Sequence, residues 1–274
     1  GVTHPASASF TLDVAAQCSN GDVTPNYQPS NAVLGAKTNM PTLADGGTGG
    51  SLVTVSDMSL TDAYQWLDIS TLFINGVYSN SAVTYDEVGI IDIAAQDTSY
   101  FGHAIPESSA TTGRFIPSYF GVAESATPQW APYCSSFAYQ DKAVDFAVYP
   151  KLAITAFGVN NAKVNNYGAA FWRLFPSTDS STMNGRTYLS TVVGSINSNF
   201  VPTLGVPSWI DGGGSTIANY DGAAVISFIN DVALYEKVMP EAPFNMRTSL
   251  SFTANDLTDA DGVCLRVDAD GDGD

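Results

Sequence analysis

Apolar residues in this chain recur at every second position, in runs too short for anything but strands. Segments 10–16, 51–55, 83–85, 88–94, 152–157, 225–229 and 250–254 are rich in β-branched and aromatic residues and are bounded by Gly, Pro, Asn or Asp. No stretch sustains the i, i+3, i+4, i+7 pattern of an amphipathic helix; the least poor, Ser59 to Leu72, is interrupted by β-branched and aromatic residues. Asn20-Gly21, Asn75-Gly76, Asn184-Gly185 and Asp221-Gly222 are dipeptides that turn one strand into the next. Many short strands with frequent turn signals predict an all-β chain built of antiparallel sandwiches of immunoglobulin-like type.

The sequence also repeats itself. Leu12, Ala16, Asn20, Asn26, Tyr27 and Leu34 recur as Leu152, Ala156, Asn160, Asn166, Tyr167 and Leu174, each 140 positions on (12 to 152, 34 to 174). A second register of 159 links Ile91, Ile93, Ala95 and Asp97 to Leu250, Phe252, Ala254 and Asp256, so the later copy carries a longer loop. Two related sandwiches in tandem follow from this doubling. The junction is expected in the small-residue stretch Ser108 to Thr112, giving modules 1–112 and 113–274, the second with a loop insertion and an Asp-rich tail. The opening Gly-Val-Thr-His-Pro and the terminal aspartate run suggest ends cut from something longer, with the first module shortened at its N-terminus.

Charge narrows the partners. Ten basic side chains against 27 acidic ones give a net charge of −17, which repels nucleic acid and anionic membrane surfaces and favours cations. Only 14% of residues are charged, so the surface is built from small neutral polar groups, as in many secreted β proteins. No run of 18 apolar residues exists to insert in a bilayer. Three cysteines, Cys18, Cys134 and Cys264, cannot all pair within the chain; either Cys18 with Cys134 or Cys134 with Cys264 is open to them. Two histidines, His4 and His103, are too few for a zinc cluster.

Six segments, in order, carry a resemblance: Asp86-Glu-Val-Gly, Tyr100-Phe-Gly, Gly113-Arg-Phe-Ile-Pro-Ser-Tyr-Phe, Cys134-Ser-Ser-Phe-Ala-Tyr, Leu152 through Asn166-Tyr167, and Asp259-Ala-Asp-Gly-Val-Cys264. Together they resemble the large C-terminal region of MshQ-type proteins, encoded with the mannose-sensitive haemagglutinin (MSHA) type IV pilus of Gram-negative bacteria. The resemblance implies an extracellular or pilus-associated protein engaged in attachment, with other pilus or surface proteins as partners and no enzymatic activity. In such relatives an aspartate-rich loop and a second cysteine follow the Asp-Gly-Val-Cys motif, so the resemblance leaves Cys264 without its partner here.

Two candidate sites follow from the residues. Asp268, Asp270 and Asp272 with Gly273 match the first positions of a calcium loop, and Asp259 and Asp261 are oxygen donors nearby in sequence, which makes Ca²⁺ the expected cofactor. Trp209, Asp211, Asn219 and Tyr220 lie where the longer loop of the second module must fall, and an aromatic face beside Asn and Asp is the chemistry of sugar binding. Trp66 and Trp172 stand in strand-like runs and are expected in the core. His103, with Ser108 and Asp97 near it in sequence, lacks the constrained Gly-x-Ser-x-Gly turn of a serine nucleophile. The leading expectation is a non-catalytic surface adhesin that recognises glycans. The runner-up is a structural spacer or assembly component completed by a partner strand. A carbohydrate-active enzyme comes third.

Overall fold

The computed structural model describes residues 2–134, 137–174, 183, 185–192, 195–196, 199–209, 219–240, 242–244 and 246–266. The protein is all-β, with several antiparallel sheets; among the described residues the only helical pieces are three short 3₁₀ turns. No helix there is long and apolar enough to cross a membrane. The chain divides into two compact units, the first made of Gly1–Ser118, Ala156–Phe171 and Asn219–Gly222, the second of Tyr119–Thr155, Trp172–Ala218 and Ala223–Asp274.

The first unit contains β1 (Thr3–Pro5), β2 (Ser9–Ala15), β3 (Ala32–Met40), β4 (Ser51–Val53), β5 (Asp57–Ser59), β6 (Gln65–Asp68), β7 (Val77–Tyr85), β8 (Ile90–Tyr100), β9 (His103–Thr111) and β10 (Arg114–Ile116). They form one four-stranded sheet in the order β2-β7-β4-β5, another in the order β6-β3-β8-β9, and a parallel pair β1-β10. Leu52, Tyr78, Val83 and Tyr85 from the first sheet and Leu34, Ala36, Ile91 and Ile93 from the second share one core. The alternation in 88–94 explains this directly, since Ile91 and Ile93 face in while Asp92 faces out. Asn75-Gly76 makes the predicted two-residue turn: Ile74 pairs with Val77, and both central residues have positive φ, 52° and 79°.

Ser108 to Thr111, expected to be a linker, instead lie within β9 and pair with β8, Ala110 opposite Ile93 and Ser108 opposite Ala95. Small residues there serve an edge strand, and the first unit runs on through β10 to Ser118. Two further segments, 156–171 and 219–222, also belong to that unit, so a single cut at 112 does not describe the packing.

The second unit contains β11 (Tyr119–Ala126), β12 (Gln129–Trp130), β13 (Phe146–Val148), β14 (Lys151–Phe157, as far as Thr155), β15 (Thr187–Val192), β16 (Ser195–Ile196), β17 (Phe200–Thr203), β18 (Ser208–Trp209), β19 (Ala223–Ser227), β20 (Val232–Tyr235) and β21 (Met246–Ser251). Its largest sheet has the order β11-β14-β19-β18. Trp130 stacks on Phe146 at 4.0 Å and meets Phe200 edge-on, in a cluster with Tyr188 and Ala233.

The 140-residue spacing survives as hydrogen bonding. Thr24 N–H donates to the Ala16 carbonyl (2.8 Å), and Val164 N–H to that of Ala156 (3.0 Å). Cys18 donates to Asp22, and Gly158 to Ala162, both at 2.9 Å. Gly21, at φ 91°, is replaced by Asn161 at φ 61°, the residue that after glycine best tolerates the left-handed region. The strand pairs agree too: Ala15 faces Val77 and Val14 faces Tyr78, as Thr155 faces Ala223 and Ile154 faces Ala224. The 159-residue register does not persist in the backbone. Ala95 and Asp97 lie in β8, whereas Ala254 and Asp256 lie in a 3₁₀ turn held by Thr253, whose side chain and backbone N–H both bond the Asp256 carboxylate.

Candidate functional site

Trp66 is on the surface, not in the core. It follows Gln65 in β6 and precedes Leu67, and Leu67 packs against the shared core, so period two sends Trp66 to the outer face of the sheet. There it is 41% exposed. Its ring lies flat over β3 at Gly35: a Cβ added to Gly35 would stand 2.6 Å from Cζ3 of the indole. Glycine supplies the shelf on which the ring rests, opposite Trp66 in the strand register and opposite buried Ala94 on the other side.

Tyr64, two residues earlier, extends the aromatic surface, with ring centroids 5.2 Å apart and planes inclined by 38°. Lys37 Nζ sits 4.7 Å from the Tyr64 centroid and 3.8 Å from the Asp92 carboxylate. Asp92 Oδ1 also accepts from Asn39 Nδ2 at 2.9 Å and from Thr111 Oγ1 at 2.7 Å. The outer face of β6-β3-β8-β9 therefore offers two adjoining aromatic rings bordered by an amide, a carboxylate, an ammonium and a hydroxyl. Flat apolar rings receive the C–H face of a pyranose, and the polar row can exchange hydrogen bonds with its hydroxyls. The signal was present in the sequence as Tyr64-x-Trp66, two aromatics on one face with Leu67 on the other.

The site expected around Trp209 is divided between the two units and falls partly outside the described residues. Trp209 is in β18, paired with Ile226 in the second unit; Asn219 and Tyr220 belong to the first; Asp211 lies outside the described residues. Of the metal candidates, Asp268, Asp270 and Asp272 also lie outside the described residues. Asp259 Oδ1 accepts from the backbone N–H groups of Asp261 (2.8 Å) and Val263 (2.9 Å), folding 259–263 into a tight loop. That geometry explains the Asp-Ala-Asp-Gly-Val motif as loop architecture. Among the described residues no group of three or more metal-ligating side chains converges.

All three cysteines are free, so neither Cys18–Cys134 nor Cys134–Cys264 is bridged. Cys18 Sγ lies 3.4 Å from Thr24 Oγ1, and Cys134 Sγ 3.8 Å from the Tyr139 hydroxyl. Asp97 is buried and accepts from the Tyr27 hydroxyl at 2.8 Å, while His103 is exposed at the far side of the β8–β9 turn, opposite Tyr100. These two do not form a catalytic pair.

The Asp86-Glu-Val-Gly motif is a fastening. Glu87, 4% exposed, accepts from Asn165 N (3.0 Å), Asn165 Nδ2 (2.9 Å) and Asn166 N (3.0 Å). The Asn166 side chain accepts from Thr48 N and donates to Thr48 O, both at 2.7 Å. Asp86 accepts from Ser51 N at 2.6 Å. Burial pushes both carboxyls above their ordinary values, against the pull of these N–H donors.

The profile of the DUF6701 third domain matches residues 87–274, from this fastening glutamate to the end of the chain. The chain belongs to the DUF6701 family. The DUF6701 match takes in Glu87 and both asparagines it holds, together with the whole second unit. Comparison with curated proteins gives no match.

Proposed function

We propose that this chain is a non-catalytic adhesion module that binds a neutral glycan on the outer face of β6-β3-β8-β9. One observation carries the reading: Trp66 lies flat and open to solvent on a glycine, beside Tyr64. An aromatic of that size costs free energy when left in water, and a ring held flat loses little more freedom on stacking against a sugar. The scaffold is two immunoglobulin-like sandwiches in tandem, a reading supported by the shared core of the first unit and by hydrogen bonds and strand pairs that recur after 140 residues. Display outside a Gram-negative cell, in association with pilus or surface proteins, is supported by the likeness to MshQ-type sequences and by a surface poor in charge but strongly acidic in balance.

Titration against neutral β-linked oligosaccharides tests the site. Trp66→Ala should weaken binding by about 2 kcal/mol, roughly thirtyfold, the loss typical of a central aromatic anchor. Its melting temperature should stay within about two degrees of the parent, because an exposed side chain on an outer face contributes little to stability. Gly35→Val, which displaces the ring, should reproduce the binding loss. Equal affinity for parent and Trp66→Ala would remove the reading.

A further inference from the structure

The edge of β2 is unfinished. β2 ends its sheet, and its inward residues Phe10, Leu12 and Val14 are only partly buried against the core. β9 ends the other sheet and is exposed along its full length. Between them opens a cleft of about 640 Å³ that reaches Leu34, Ile69 and Ile93 in the core. Ala110 and Ser108 stand opposite Ile93 and Ala95 and share their face, so the inner side of β9 is a ledge of small side chains, exposed along its length among the described residues.

In the second unit the equivalent place is filled. β14 and β19 repeat β2 and β7 over four consecutive pairs, Leu152 to Thr155 in place of Leu12 to Ala15, before a bulge in β2 shifts the register, and β14 carries β11 along its other edge. Among the described residues β2 has no such neighbour.

We propose that the cleft receives one extended strand donated by a separate polypeptide, which hydrogen-bonds along β2 and lays its side chains over the β9 ledge. The ledge sets the chemistry of the donor. Small Ala110 and Ser108 leave room for large apolar side chains at alternate inward positions. Asp13 on β2, Glu107 on β9 and a net charge of −17 favour neutral or basic residues on the outward face. This site is independent of the Trp66 surface and stands or falls separately from it.

The probe is a peptide of residues 118–127, the segment that contains β11, added to the full chain of 274 residues. Hydrogen exchange should slow at alternate amides of Ser9–Ala15, whose N–H groups gain carbonyl partners. A peptide carrying Ser125→Lys, on the face opposite Phe120 and Val122, should bind about threefold more tightly, through the acidic surroundings. Ala110→Trp, which fills the ledge from an exposed position, should weaken peptide binding at least tenfold, about 1.4 kcal/mol, with the melting temperature unchanged. Absence of protection at β2, or binding indifferent to Ala110→Trp, overturns the proposal. So does protection of the β2 amides in the chain without added peptide, since the edge is then already covered by the chain itself or by a second copy.

Discussion

Asp231→Ala should destabilise the second unit by about 3–5 kcal/mol, the cost of leaving a buried charge without its counter-ion. Arg186 and Asp231 are both buried, 0% and 1% exposed in their side chains, and meet at 2.6 Å. Arg186 Nε donates to the second carboxylate oxygen at 3.0 Å, its remaining N–H groups reach the carbonyls of Met183 and Gly205, and its guanidinium lies 4.9 Å from the Phe228 ring. Asp231 also accepts from the Tyr188 hydroxyl and from Gly205 N–H. Burial first, and the negative Asp231 second, push the Tyr188 phenol well above its ordinary range, so it remains a donor at every accessible pH. A urea titration of the full chain measures the loss as a shift of one transition. The double change Arg186→Met with Asp231→Leu should recover more than half of it, because no charge is then left buried; a double variant as unstable as Asp231→Ala would show that packing, not charge, holds this site.

Glu87→Ala should cost the first unit about 3 kcal/mol, since charge-assisted hydrogen bonds are worth about 1.5–3 kcal/mol each and the stranded N–H groups are partly re-solvated. The affected donors are Asn165 N, Asn165 Nδ2 and Asn166 N, so hydrogen exchange should accelerate at 165–166 and at Thr48 before anywhere else. The same group makes stability depend on pH. Because burial raises the folded-state value of Glu87, the folded chain holds its proton more tightly than the unfolded chain does. The contribution is therefore fully present below the ordinary glutamate value of 4.5 and is lost as pH rises through the higher folded value. Asp86, raised for the same reason, acts in the same direction. Stability should fall with rising pH across this window, and Glu87→Gln should flatten the slope. An unchanged slope in that variant would place the dependence elsewhere in the acidic coat.

Much of the local structure was legible in the letters. Asn75-Gly76 announced its turn because two consecutive positive φ angles are tolerated by few other pairs. The repeat was legible because the recurring residues are the ones that carry the recurring bonds: Asn20 and Asn160 each accept, through the side chain, the N–H two residues on. Ser108 to Thr111 misled because Ser and Thr populate linkers and edge strands alike, and only pairing with β8 distinguishes them. The Asp259 motif differed from its expectation in another way. Asp259 was expected as a metal ligand, but its Oδ1 accepts from backbone N–H groups two and four residues ahead, while Glu87, which no local pattern singled out, accepts from Asn165 and Asn166 nearly eighty positions away.

From the alternation of its residues alone, the chain was committed to short strands, tight turns and an acidic, weakly charged exterior, because side-chain period and turn chemistry act within a few residues. What the outer sheet face presents, which edge stays open and which carboxylates are buried were settled only when distant segments met. Gly35 becomes a shelf only with Trp66 laid across it, and β2 becomes an open edge only beside a ledge that no strand covers among the described residues. Exposure and pairing belong to the packed whole, since each depends on which neighbour, near or far in the chain, removes a surface from water.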